Sequence, residues 1–286
     1  MKTALRKRFI DYLVLQRLSD RSIEAYVQAI NALARYYNQP PDKLTNQQIQ
    51  TYLLYLIREK KLSWTSCNVH FTGMNHFYQK FLKRRACDFW IPPRPRQRKL
   101  PNVLSREEVM AIIDHSKDIR HRALLSMVYG SGLRVSEVVT LKIEHIEGQR
   151  KLVRVEQGKG RKDRYTLLSE NALEDLRLYW KCFKPSSYLF FGKYKDLPMS
   201  VTSAQRIYNQ ARKAAGITKG KGIHTLRHCF ATHLLEQGVD VYLIQKFLGH
   251  STINTTMVYF HVRPDRLLSI QSPLDQAHTR PEGDLP

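Results

Sequence analysis

The sequence predicts a two-domain, mainly α-helical protein with one small β-hairpin, an α+β fold overall. Three observations predict it. Apolar residues recur at a helical period through most of the first 84 residues; a proline-rich basic segment, 92–101, breaks that pattern; and two strand-like runs, 152–157 and 164–168, flank a glycine-bearing turn. The chain has 286 residues, 42% of them hydrophobic and 25% charged. That balance excludes disorder, collagen and a pure coiled coil, and the length suits two domains with their own cores.

The elements follow in order. Leu5, Phe9, Tyr12, Leu13 and Leu18 mark a first helix over 3–18. Ser22 is the expected cap of a second helix, whose face carries Ile23, Tyr26, Ile30, Leu33 and Tyr37 and which ends at the Pro40–Pro41 pair. Thr45 with Gln48 forms a capping box for a third helix, and a fourth runs from about Ser66 to Arg84. Together they predict a helical bundle over 1–91. The prolines of 92–101 (PPRPRQRKLP) cannot sit inside a helix or a central strand, so the segment reads as an extended, solvated linker. Ser105 opens a helix to about Ser116, and another covers about 119–129 before GSG. The hairpin follows, and helices dominate from about 170 to about 262. A second domain over 102–270 is expected, with a frayed polar tail at 271–286.

Charge narrows the function. Lys+Arg total 47 against 25 for Asp+Glu, a net of +22. Residues 1–100 carry 19 basic and 6 acidic residues, residues 101–286 carry 28 and 19. Both parts are basic, which points to one shared polyanion, most simply nucleic acid. Arg94, Arg96, Arg98 and Lys99 in the linker, with Arg161 and Lys162 in the hairpin turn, are the candidate phosphate contacts. No apolar stretch approaches the roughly 18–20 residues of a membrane span. The scattered cysteines 67, 87, 182 and 229 form no CxxC pair, so a disulfide framework or thiolate metal site is not expected and a cytoplasmic location, at the nucleoid, is.

Four segments carry chemistry. GSGLRVSE places Arg134 at a helix start after a glycine turn. QGKGRKDR places Lys159 between two glycines of the hairpin, ahead of Lys162 and Arg164 as the turn cation. HTLRHCFATHLL sets His224 and Arg227 three apart on one helical face, and LGHSTINTTMVYFHV holds His250 and Tyr259. Each is ordinary alone: a helix-start arginine is usually on the surface, a turn lysine is usually solvated, and a tyrosine beside Val and Phe is usually core. As a set they suit attack on a phosphodiester by a tyrosine oxygen. Guanidinium groups would neutralise the charge of the phosphorane, a histidine would handle the tyrosine proton, and a lysine would protonate the departing sugar oxygen. His224, His228 and His233 lie close together, but without an HExxH glutamate or a cysteine a metal site is not expected. His228 and His233 read as packing residues, and Tyr208 and Tyr242 as structural.

These four motifs, in this order and at about this spacing, resemble those of the tyrosine recombinases, the phage-integrase family, over roughly residues 1–270. The QRKLPNVLSREEV stretch and the ending after Tyr259 are similar to the Xer-type and integron-integrase branches. The 64 residues between Lys159 and His224 leave little room for the extra segment of integron integrases. The resemblance implies a SAM-like helical core-binding domain that clamps DNA, followed by a catalytic domain. It implies that Arg134 and Arg227 hold the scissile phosphate, Lys159 is the general acid, His224 an acid/base, His250 a phosphate hydrogen-bonder and Tyr259 the nucleophile. Glu137 matches the family's acidic position near the site. It further implies a 3′-phosphotyrosyl intermediate, no cofactor, double-stranded DNA with specific recombination sites as partner, and a homotetramer on DNA, for which residues 263–274 are the candidate docking segment. Two alternatives are a type IB topoisomerase-like nicking-closing enzyme, which would relax any supercoiled plasmid, and a non-catalytic DNA-binding accessory protein, which would form no covalent adduct.

Overall fold

A computed structural model describes residues 3–94, 103–156 and 163–259. The chain divides into two compact units, Met1–Gln97 and Arg98–Pro286.

The first unit is helical. Its helices are α1 (Thr3–Leu15), α2 (Asp20–Tyr37), α3 (Asn46–Arg58) and α4 (Trp64–Met74), with a 3₁₀ turn at Pro41–Lys43. Ser19, not Ser22, caps α2: its hydroxyl accepts the Ser22 N–H at 3.3 Å, so the helix begins one turn earlier than the sequence predicts. Either serine satisfies the composition rule for a cap; only backbone geometry separates them. The Thr45–Gln48 capping box forms on both sides, at 3.2 and 2.9 Å. The fourth helix is not one uniform α-helix to Arg84. After Met74 it widens into a π-helical segment, Asn75–Phe81, in which Phe77 and Tyr78 are both buried and Phe77 meets Phe9 edge-on at 5.0 Å. Gly73 lets α4 lie against α2, since a Cβ there would meet the Tyr26 Cα at 3.2 Å. Arg94 places its guanidinium 6.0 Å from the Trp64 ring centroid, while the Trp64 indole donates to the Pro92 carbonyl at 2.8 Å.

The second unit builds a core of Ile112, Leu124, Leu125, Met127, Val153, Tyr179 and Leu226, among others. Its helices are α5 (Arg106–Asp114), α6 (Ile119–Ser131), α7 (Val135–Val139), α8 (Glu170–Phe183), α9 (Val201–Ala214), α10 (His224–Glu236), α11 (Val241–Leu248) and α12 (Ile253–Met257). A three-stranded antiparallel sheet, β1 (Ile146–Glu147), β2 (Leu152–Val155) and β3 (Arg164–Leu167), contains the expected hairpin, with Val155 opposite Arg164. The two-residue strand β1 is too short to leave a pattern in sequence. Between α8 and α9, where the sequence predicts mainly helix, Tyr188 forms an isolated bridge back to Lys142 and Phe191 one to Pro198.

Two glycines end helices where the site is built. Gly132, at φ 61°, stops α6, and a Cβ on it would run into the Phe230 ring. Gly249, at φ 62°, stops α11 in a Schellman motif, with Gly249 N–H bonding to Lys246 O and His250 N–H to Gln245 O. Only glycine adopts this backbone without strain, and at Gly132 only glycine fits.

Candidate active site

The last carbonyls of a helix have no partner within it. At the end of α11 three arginines supply the missing donors. Arg164 Nε donates to Phe247 O at 2.8 Å, Arg227 Nη2 to Leu248 O at 2.6 Å, and Arg134 Nη2 to Gly249 O at 3.3 Å. The negative end of the helix dipole favours cations at this spot. Arg227 reaches a second helix end as well, donating from Nη1 to Gly132 O at 2.6 Å. It is 1% exposed, extreme for an arginine. Burial first, then the neighbouring Arg134, brings its pKa down to about 9, which leaves it charged at neutral pH.

Glu137 gathers the same arginines. Its Oε1 accepts from Arg134 Nη1 at 2.7 Å and Arg164 Nη1 at 2.9 Å; its Oε2 accepts from Arg164 Nη2 and from the Arg134 backbone N–H, both at 2.8 Å. Arg227 Nη1 stands 3.8 Å away. Burial pushes this carboxyl up, but the Arg164 fork and then Arg134 outweigh it and bring the pKa down to about 2. The residue therefore sits at the N-terminal turn of α7 as a fixed anion, tying α7, β3 and α10 together.

The histidines and the tyrosine complete the cluster. Arg227 Nη2 donates to His250 Nε2 at 3.2 Å, which places the His250 proton on Nδ1, and that nitrogen donates to Thr256 Oγ1 at 2.9 Å. Burial, then Arg227, Arg134 and Arg164, hold the His250 pKa down to about 3, so the ring is neutral. Tyr259 follows the short α12 and is 4% exposed, packed with Phe230, Ala231, Ile244 and Leu248. Its hydroxyl meets His228 Nδ1 at 2.9 Å. Burial raises the Tyr259 pKa, and Arg227 and Arg134 work against that rise. His224 is exposed at the start of α10, and its ring meets that of His228 edge-on, 4.8 Å between centroids. Its pKa is lowered by desolvation and then by Arg227 and Arg134.

The structure thus brings Arg134, Glu137, Arg227, His250 and Tyr259 into one connected cluster with His224 at its edge. Lys159, Arg161 and Lys162 lie outside the described residues, as do Arg96, Arg98, Lys99 and the segment 263–274. Two members escaped sequence reasoning. Arg164 weighs in sequence only as a rival turn cation, yet its guanidinium is turned inward onto Glu137 and α11. His228 reads there as a packing residue, yet it is the partner of the tyrosine hydroxyl. Its signal was the i, i+4 pair with His224, which aligns the two rings on one face of α10. Tyr208 is buried, its hydroxyl donating to Gly220 O at 2.6 Å, and Tyr242 is exposed on α11 beside Lys246; neither joins the cluster.

A model of the phage integrase family matches residues 102–266, and a model of the phage integrase N-terminal SAM-like domain matches residues 5–88. The chain belongs to the phage integrase family. It is a tyrosine-type site-specific recombinase, an enzyme of DNA strand breakage and rejoining. A tyrosine recombinase of Pseudothermotoga lettingae is 34% identical, covering 90% of this chain and 93% of its own length. A Sinorhizobium fredii relative described as an integrase/recombinase is 36% identical over 96% of this chain and 89% of its own. Among solved structures, a XerA recombinase matches at TM-score 0.55 with 29% identity, covering 98% of this chain and 100% of that one. A lambda integrase tetramer bound to a Holliday junction matches at TM-score 0.72 with 19% identity, covering 92% and 77%, which shows a shared fold. Among the described residues of the recombinase, no helix is long and apolar enough to cross a membrane.

Proposed function

We propose that this recombinase cuts double-stranded DNA at specific recombination sites with Tyr259 as nucleophile. The observation that carries the reading is the placement of that tyrosine's hydroxyl on His228, next in α10 to the buried Arg227, which faces the cluster of cationic side chains around Glu137. Arg134 and Arg227 hold the non-bridging oxygens of the scissile phosphate. To do so they exchange some of their helix-end carbonyls for phosphate oxygen, a charge-assisted and stronger acceptor. Tyr259 Oη gives up its proton to a histidine of the cluster and forms a bond to phosphorus, the P–O5′ bond breaks, and O5′ takes a proton from Lys159. A 3′-phosphotyrosyl link and a free 5′-hydroxyl result. His250 turns from Arg227 to the phosphate, and His224 assists as acid/base. Because the phosphoryl bond is conserved in the phosphotyrosine, rejoining is the same reaction run backwards.

Residues 1–91 form the core-binding domain, 92–101 the linker, 102–270 the catalytic domain and 271–286 a tail. Arg94, Arg96, Arg98, Lys99, Arg161 and Lys162 contact phosphates, so affinity falls steeply with salt. The enzyme acts as a homotetramer on two sites through residues 263–274, in the cytoplasm at the nucleoid. Truncation after Arg263 is expected to spare single-site binding and abolish synapsis.

The deciding experiment incubates labelled DNA flanking the coding region with wild type and with Tyr259→Phe, then adds SDS. Label travelling with wild-type protein alone is the expected result. Label on both proteins means that another residue attacks, and the assignment of Tyr259 fails. The same assay excludes a non-catalytic accessory protein, and relaxation of a supercoiled plasmid lacking the mapped site separates a topoisomerase.

A further inference from the structure

The nucleophile needs a base, and the residue that touches it is one that neither the motif reading nor the proposed mechanism uses. We propose that His228 is the proton acceptor for Tyr259: its Nδ1 takes the phenol hydrogen bond in the DNA-free protein and the proton itself when Oη attacks phosphorus. This rests on the proposed role of Tyr259 and deepens it.

The geometry assigns the direction of the bond. A buried phenol with a raised pKa is protonated, and the bond to His228 Nδ1, at 2.9 Å, is its single side-chain hydrogen bond among the described residues. The hydroxyl therefore donates, Nδ1 is the lone-pair nitrogen, and the ring proton sits on Nε2. Proton transfer along an existing 2.9 Å bond needs no rearrangement of the base. His224 makes no such contact; it is exposed, one helical turn away, with its ring against the edge of His228. His250 is unsuited too, because Nε2 is taken by Arg227 and Nδ1 by Thr256.

The surroundings decide when the base works. Burial, then His224 and Arg227, bring the His228 pKa down to about 4, so the imidazole is neutral and free to accept. It is also a weak base in that state. A phosphate bound to Arg227 adds negative charge to the same neighbourhood and favours the imidazolium, so the base strengthens when substrate arrives. The step balances: the Oη–H bond breaks and its proton moves to Nδ1, Oη bonds to phosphorus, and the P–O5′ bond breaks as O5′ takes a proton from the turn lysine. In rejoining, the imidazolium returns the proton to the phenol.

The test compares His228→Gln with His228→Phe in the full chain. A glutamine carbonyl can accept the phenol bond but cannot take the proton; phenylalanine can do neither. Tyrosine labelled with ¹³C at Cζ gives a Tyr259 resonance identified by its loss in Tyr259→Phe. That resonance is expected to stay near its wild-type position in His228→Gln and to move in His228→Phe. The second readout is SDS-stable adduct on sheared DNA of the replicon encoding the chain. His228→Gln is expected to slow adduct formation about 100-fold, with DNA binding within twofold of wild type. An adduct rate in His228→Gln within threefold of wild type overturns the base. A Tyr259 resonance that ignores His228→Phe overturns the bond itself. Adduct carried equally by Tyr259→Phe sinks the tyrosine assignment instead, so the two failures are told apart.

Discussion

Replacing Glu137 by glutamine tests the electrostatic frame of the site. The amide keeps the shape of the carboxylate and removes its charge. In the native site four hydrogen bonds of 2.7–2.9 Å converge on the two oxygens from Arg134 and Arg164, and Arg227 lies within 3.8 Å. A glutamine oxygen can keep one pair of these donors. Its NH₂ must then face the other pair, donor against donor, and the arginines lose their shared anion. Breaking a buried ion pair from one side costs about 3–5 kcal/mol. The pKa points the same way: the drop from 4.5 to about 2 corresponds to about 3 kcal/mol of preference for the ionised form. Glu137→Gln should therefore lose about 3–5 kcal/mol in urea unfolding at pH 7. The sign with pH is also determined. A carboxyl whose folded pKa is depressed stabilises above pH 4.5 and loses that contribution as pH falls toward about 2. At pH 4 the gap between wild type and variant should be about 0.8 kcal/mol narrower than at pH 7. A loss under about 1 kcal/mol at pH 7, or a gap that does not narrow on acidification, refutes the reasoning.

Three further outcomes follow from the same contacts. His228 and His250 carry pKa values brought down to about 4 and about 3, by burial first, then by His224 and Arg227 at His228 and by Arg227, Arg134 and Arg164 at His250. The folded state thus binds fewer protons than the unfolded state below pH 6.5, and the two rings together should cost about 3 kcal/mol between pH 7.5 and pH 5.5; thermal unfolding that is flat across that window contradicts this. Gly249→Ala forces an alanine to φ 62° and puts its Cβ 2.8 Å from the Arg164 Cδ, whereas Gly216→Ala meets the same backbone problem with no atom within 4 Å. Gly249→Ala should cost at least about 1 kcal/mol more than Gly216→Ala in urea unfolding, and equal costs would remove the packing argument. Arg227→Lys keeps the charge but cannot donate to Gly132 O and Leu248 O at once; adduct formation should fall about 10²-fold or more with DNA affinity within tenfold, and full activity would show that the fork is dispensable.

Much of the site was legible because its chemistry is written in residue types at fixed spacing. A glycine before Arg134 announces a helix end, and the hairpin announces itself by two apolar runs around a basic turn. What stayed hidden depends on direction rather than identity. Arg164 begins a strand directly after the basic hairpin turn, where sequence suggests one more turn cation; only the pairing of Val155 with Arg164 and the approach of α11 turn it inward. His228 is one of three histidines on a single helix, and spacing alone cannot say which of them meets a tyrosine 31 residues later. In the first unit, backbone geometry chooses Ser19 over Ser22 as the cap, and the π-helical segment Asn75–Phe81 buries Phe77 against Phe9 and Tyr78 against Phe89. Pattern locates an element; tertiary contact decides where a side chain points.

The same contacts explain why a site so rich in arginine can exist without its substrate. Among the described residues, three guanidinium groups, those of Arg134, Arg164 and Arg227, surround one carboxylate, Glu137, which leaves these four side chains a formal charge of +2. The carbonyls ending α6 and α11 absorb part of this through hydrogen bonds, without adding a formal anion. On the proposed mechanism, a phosphodiester brings a single negative charge and its pentavalent phosphorane carries two. The cluster matches the second better than the first, which is the condition for lowering a barrier rather than merely binding the ground state. Glu137 limits the excess. Without it the charge of these groups would be +3, and the arginines would repel one another in the empty site. A single buried acid therefore serves the folding of the site while leaving it a net positive charge, which on the proposed mechanism favours the doubly charged phosphorane over the singly charged phosphodiester.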